Sequence, residues 1–174
     1  MESGIVRRID ELGRIVIPKE MRKSLRINVG DEMEICTSLG GILLKKHNGF
    51  ESIMNIVKEV SKTLAEYTDA DVIALGSSEV VCAAGEKRGE YQGVCASGAL
   101  LKAISSRREV VLHDDDLKCA FENFVPNRDY LVFQPIVVGG DSLGGLALLL
   151  DRLPSDMVRA YLKFAAELIE DSLK

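Results

Sequence analysis

The chain has 174 residues, of which 47% are hydrophobic and 28% charged, with a net charge of -5. This composition excludes a disordered or collagenous protein, and the length admits either one domain or two small ones. No apolar run approaches the ~18 residues of a membrane span, and the opening MESGIVRRID places charges where a signal peptide needs an apolar stretch, so the expected location is the cytoplasm, with no membrane partner.

The average charge hides an asymmetry: residues 1–48 carry a net +2 and residues 49–174 a net -7. The leading segment reads in order as strand, turn, strand, helix, strand, turn, strand. Gly4–Ile9 and Arg14–Ile17 are rich in Ile and Val and flank a turn-like Asp10-Glu11-Leu12-Gly13, which predicts an antiparallel pair. Pro18 stops the second strand and opens a helix of about two turns over Lys19–Leu25. Glu32–Thr37 and Ile42–Lys46 flank Ser38-Leu39-Gly40-Gly41, a hairpin signal. Four short strands and one short helix cannot close a core within 48 residues, since even ~60 residues bury only about 60% of the surface their unfolded chain exposes. The expectation is an obligate homodimer in which two copies interlock their strands.

Phe50, Ile53, Val57, Val60, Leu64 and Tyr67 then recur at spacings of three and four, the pattern of an amphipathic linker helix over residues 49–70. The stripe can pair with itself in a second copy or dock onto the domain that follows. Residues 71–174 alternate strands (Val72–Leu75, Val80–Ala84, Val110–His113) with a helix over Gly98–Ser105. A hairpin of Tyr130–Val138 and Leu143–Leu150 turns at Gly139-Gly140-Asp141-Ser142, and Pro154 opens a last helix with Val158, Leu162, Ala165, Ile169 and Leu173 on one face. The fold class is thus α+β: a β-rich N-terminal domain (1–48), a linker helix (49–70) and a second, α/β domain (71–174).

The run Gly4-Ile5-Val6-Arg7-Arg8-Ile9-Asp10-Glu11-Leu12-Gly13-Arg14-Ile15-Val16-Ile17-Pro18 resembles the AbrB family of bacterial transcription regulators, whose swapped-hairpin domain reads G-x-V-R-x-x-D-x-x-G-R-x-x-I-P. The likeness continues through Lys19–Leu25, Gly30-Asp31 and Ile42–Lys46, about a quarter of the chain. It implies a homodimeric domain with interleaved hairpins that binds double-stranded DNA. Arg7, Arg14, Arg22 and Lys23 match the family's DNA-contacting positions, with Arg8 and Lys19 secondary. The physics agrees: cations on a rigid face attract phosphate, dimerisation doubles each of them, and an Arg fork can grip phosphate or a guanine edge with two donors. Without the resemblance, the same charges read as solvated surface groups, some paired with Asp10, Glu11 and Glu20.

The second domain resembles a GAF-type sensor in strand order, in Pro135–Val138 followed by Leu143–Leu146, and in its closing helix. The resemblance implies an unidentified small-molecule effector, in a pocket closed by the sheet and the segment Arg88–Ala99. Together the two domains imply a regulator of sporulation genes. The helices over 50–67 and 155–173 are expected self-association surfaces, so two dimers can form a tetramer.

No cofactor is implied. The four cysteines (Cys36, Cys82, Cys95, Cys119) lack C-x-x-C or zinc spacing and read as packing residues, and His113-Asp114-Asp115-Asp116 reads as a strand end with a solvated loop, Asp116 capping a helix near Leu117. With two histidines, one of them His47 at the end of the first domain, the chain lacks a legible nucleophile, base and oxyanion site, and it is not read as an enzyme. The alternative function is an antitoxin with an autoregulatory DNA-binding domain. Its tail would be extended, whereas 71–174 carries core-forming elements.

Overall fold

A computed structural model describes residues 4–25, 27, 29, 32–38, 40–47 and 49–173 of the chain. The chain divides into two compact units, Met1–His47 and Asn48–Lys174. Gly30, Asp31 and Leu39, each part of a motif above, lie outside the described residues.

In the first unit, α1 (Lys19–Ser24) follows Pro18, whose extended conformation (φ -56°, ψ 147°) places it just ahead of the helix while its carbonyl accepts from Arg22 N. Strands β1 (Met33–Ser38) and β2 (Gly41–Lys46) form the expected hairpin, in register from Met33 opposite Lys46 to Ser38 opposite Gly41. Gly40 at φ 80° supplies the left-handed residue of its turn.

The predicted pairing of Gly4–Ile9 with Arg14–Ile17 is corrected: among the described residues neither segment is a strand, and only the turn between them is closed. A two-stranded ribbon is marginal in water unless a face of it is covered. Here Ile5, Val6, Ile9, Leu12, Ile15 and Val16 are all exposed, Val6 at 90%. Pro18 is the one buried residue among those described in this unit.

The second unit is a three-layer sandwich around a five-stranded antiparallel sheet: β3 (Asp71–Leu75), β4 (Val80–Ala84), β5 (Val110–His113), β6 (Tyr130–Val138) and β7 (Asp141–Leu150), in the order β4-β3-β7-β6-β5. Strand alternation divides the core. Val72, Ala74, Leu146, Leu148 and Leu150 point to one face, where α2 (Met54–Thr68) and α6 (Asp156–Asp171) cover them. Ile73, Leu75, Ala147 and Leu149 point to the other, beneath α3 (Arg88–Tyr91), α4 (Gly98–Ser106) and α5 (Asp114–Lys118).

Two local features fix the central pair β6–β7. Gly139 and Gly140, both at positive φ (61° and 94°), make the two-residue hairpin turn that suits the right-handed twist of its strands. Gly144 (φ 126°) lies so close to β3 that a Cβ there would collide with the Leu75 carbonyl oxygen.

The helix over the linker segment is the first element of this second unit: Phe50, Val57 and Leu64 are buried against the sheet, while Tyr67, the end of the same stripe, is 77% exposed. Docking therefore takes most of that stripe. At the other end Ser155 caps α6, its hydroxyl accepting from Val158 N at 3.3 Å. α5 starts at Asp114, three residues earlier than expected, with His113 preceding it and Asp116 inside its first turn rather than at its cap.

Candidate nucleic-acid interface

The six predicted contact residues occupy three local settings in the first unit. Arg7 and Arg8 lie in the segment before the turn. Arg14 leaves the turn itself. Lys19, Arg22 and Lys23 sit on α1 at spacings i, i+3 and i+4, which gathers them on one helix face. Arg22 and Lys23 also fall in the last turn, where cations complement the helix dipole, and Glu20 sits in the first. All six are exposed.

The turn is the most ordered part of this surface. The Asp10 carboxylate accepts from Leu12 N at 3.0 Å and Arg14 N at 2.8 Å through Oδ1, and from Arg14 Nε at 2.7 Å through Oδ2. Asp10 N donates to the Arg14 carbonyl at 3.1 Å, and Gly13 takes the left-handed conformation (φ 76°) that lets the loop close. The amide and guanidinium of Arg14 together hold the Asp10 carboxyl below its ordinary range. Arg14 is nonetheless 72% exposed, so the pair leaves its outer edge open.

In the second unit the described residues contain no group of three or more His, Cys, Asp or Glu able to hold a metal. His113 Nδ1 and Asp114 Oδ2 are 2.7 Å apart at the surface. Cys82 and Cys95 are buried, in keeping with a packing role, and burial pushes the Cys82 thiol up; Cys119 is exposed, which corrects the reading of it as a core residue. The segment Arg88–Ala99, expected to wall an effector pocket, sends Tyr91, Cys95 and Ala96 into the core.

Sequence reasoning missed a buried polar node at the end of the sheet. The fully buried Asp71 accepts from Lys87 N (2.9 Å), Tyr91 Oη (3.3 Å), and Arg128 Nε and Nη2 (2.9 and 2.8 Å). Arg128 Nη1 reaches Asp151 at 2.6 Å. Burial alone would lower the Arg128 pKa, but its two carboxylate partners raise it above the usual guanidinium value; burial and the adjacent Asp71 charge raise Tyr91. The one signal in the sequence is Asp71 itself, a charge opening an otherwise apolar strand. Its partner stands 57 positions away, with no spacing rule to link them.

A family profile described as stage V sporulation protein T C-terminal, transcription factor, matches residues 52–170. The stage V sporulation protein T of Bacillus subtilis is 30% identical over 147 residues, covering 84% of this chain and 83% of that protein. The chain belongs to the stage V sporulation protein T family. In this family member the leading residues 6–51 also match a profile described as antidote-toxin recognition MazE, bacterial antitoxin. The transition state regulatory protein AbrB of Bacillus subtilis is 51% identical over 45 residues, covering 26% of this chain and 47% of that protein.

Solved structures support the fold of the second unit alone. The GAF domain of an Acinetobacter phosphoenolpyruvate-protein phosphotransferase superposes with a TM-score of 0.53 at 12% identity, covering 71% of this chain and 91% of that one. A type II free methionine-R-sulfoxide reductase from Thermoplasma acidophilum gives 0.54 at 15% identity, covering 72% and 94%. This stage V sporulation protein T relative is therefore a transcription regulator with an AbrB-type leading domain and a GAF-like second domain. Among its described residues no helix is long and apolar enough to cross a membrane.

Proposed function

We propose that the protein regulates sporulation genes as a homodimer that grips duplex DNA through Arg7, Arg14, Arg22 and Lys23 of each protomer, with Arg8 and Lys19 in outlying contacts. One observation carries this reading: the first unit presents its cations and its apolar side chains to solvent at once. Ile5, Val6, Ile9, Ile15, Val16, Ile35 and Ile42 are each about half exposed or more. Seven branched apolar residues in so short a segment need cover, and a second copy offers complementary strands as well as a second set of cations. A regulator that binds the chromosome acts in the cytoplasm.

Tetramer formation is supported by a second surface. On the outer side of α2 and α6, Val60, Leu64, Tyr67, Tyr161, Phe164 and Leu168 line an apolar groove of about 430 Å³, with Phe164 at 67% exposure. An equivalent pair of helices from another dimer would bury it. For the effector, two clefts of about 550 and 650 Å³ at the end of the sheet share Arg128, Asp151 and Arg152 and are of a size for a small molecule.

Titration of a duplex with salt, alongside the mass of the free protein by light scattering, tests this reading. With about eight phosphate contacts per dimer, log K falls with log salt at a slope of roughly -7. A slope near zero, or a monomeric mass, would sink it.

The match of residues 6–51 to an antitoxin profile favours examining the second reading too. Limited proteolysis separates the two. Because Phe50 and Val57 are sealed against the sheet, the regulator leaves a resistant fragment beginning near residue 49, whereas an antitoxin tail is digested throughout.

A further inference from the structure

We infer that Asp10 is a positioning residue for the duplex contact of Arg14, an inference that rests on the interface proposed above. Among the described site residues, Arg7, Arg8, Lys19, Arg22 and Lys23 carry no ion pair, whereas one carboxylate holds the turn that bears Arg14 at three points, two of them on Arg14 itself. Two of those points are backbone amides, Leu12 N and Arg14 N, and they fix the direction in which the Arg14 side chain leaves the loop. The third is Nε, the inner nitrogen of the guanidinium.

The choice of nitrogen matters. A guanidinium has five N–H donors in a rigid plane, and occupying the one on Nε leaves four on the terminal nitrogens. Those four form the end-on fork that fits guanine O6 and N7 or two phosphate oxygens. The pair thus fixes the plane of the guanidinium while its reading edge stays in solvent, at 72% side-chain exposure. A flexible arginine must lose its rotamer freedom on binding, and the contact with Asp10 takes part of that loss in the free protein.

A simpler role for the carboxylate gives the opposite sign. If Asp10 only neutralised Arg14, it would also repel phosphate, and its removal would tighten binding to any duplex. If it positions Arg14, its removal weakens binding where the fork is used and leaves indiscriminate phosphate contact intact or stronger.

The experiment measures the affinity of the full-length protein for a duplex selected from a random pool by the wild type, and for an unrelated duplex of equal length. Asp10→Ala is expected to weaken the first about tenfold, as two protomers each lose a preordered side chain, and not the second. The salt slope stays the same, since no phosphate-binding cation is removed. In an Arg14→Ala background, Asp10→Ala brings no further loss. Asp10→Asn keeps an acceptor for the two amides and loses the charge on Nε, so it gives a smaller loss and serves in place of Asp10→Ala should that variant fold poorly. Tighter binding to both duplexes by either variant overturns the inference, as does an equal loss with and without Arg14. An Arg14→Ala variant with wild-type affinity defeats the interface reading instead.

Discussion

Replacing Arg128 by Met is expected to lower the stability of the second unit by about 3–5 kcal/mol, the range for removing one partner of a buried ion pair. Asp71 is fully buried, and Arg128 is the only cation that the described residues bring to its carboxylate. Without the guanidinium, Lys87 N and the Tyr91 hydroxyl remain as donors, and two neutral hydrogen bonds do not compensate a carboxylate withdrawn from water. The node also joins three chain segments, the start of β3, the loop before β6 and the end of β7, so its loss loosens the whole end of the sheet. For a unit of this size, the calorimetric transition of the full-length protein should fall by roughly 10–20 °C. Met fills much of the volume of the arginine stem, which keeps the cavity contribution small. Adding Asp71→Asn to the same variant should restore at least half of the loss, because the uncompensated charge is then gone. A single variant within about 1 kcal/mol of wild type would mean that water screens the pair.

The elements of the second unit were legible because their patterns are local. Val72–Leu75, Val80–Ala84, Val110–His113 and the Tyr130–Leu150 hairpin each declare a strand by composition, glycines mark the turns after Leu75 and Val138, and the structure forms all of these strands. In the last helix the row Val158, Leu162, Ala165, Ile169 and Leu173, expected as a self-association surface, packs into the unit's own core instead, with Leu162, Ala165 and Ile169 buried. Tyr161, Phe164 and Leu168 form a second, exposed apolar row beside them, which helical spacing alone does not single out, since one helix carries two apolar faces only when something outside the chain covers the second. The Asp71–Arg128 node was illegible for a different reason: tertiary ion pairs obey no sequence period. At the leading segment the predicted strand pair does not form among the described residues. Gly4–Ile9 and Arg14–Ile17 have the composition of strands, but a strand exists by virtue of its neighbour, and one copy of the chain supplies none.

Arg14→Ala should weaken duplex binding more than tenfold while leaving thermal stability unchanged. Stability is insensitive because Arg14 is 72% and Asp10 42% exposed, and exposed pairs contribute about 0–1 kcal/mol. The turn also survives the substitution: Gly13 keeps its left-handed conformation, and the Asp10 carboxylate still accepts from the amides of residues 12 and 14. Binding is sensitive because a dimer loses two cations at once, each able to hold phosphate or a base edge with a fork that no neighbouring side chain replaces. Tenfold corresponds to about 1.4 kcal/mol, less than 1 kcal/mol from each protomer, which is modest for charge-assisted hydrogen bonds. The salt slope should shrink in magnitude by about 2 if both forks hold phosphate, and change little if they read bases, so a single titration also tells which of the two they do. Arg14→Lys keeps the charge and removes the fork; it should recover the slope in the first case and fail to recover affinity in the second. A fall in melting temperature matching the loss of affinity would make Arg14 part of the scaffold instead, and the cations of α1 would then have to carry the contact alone.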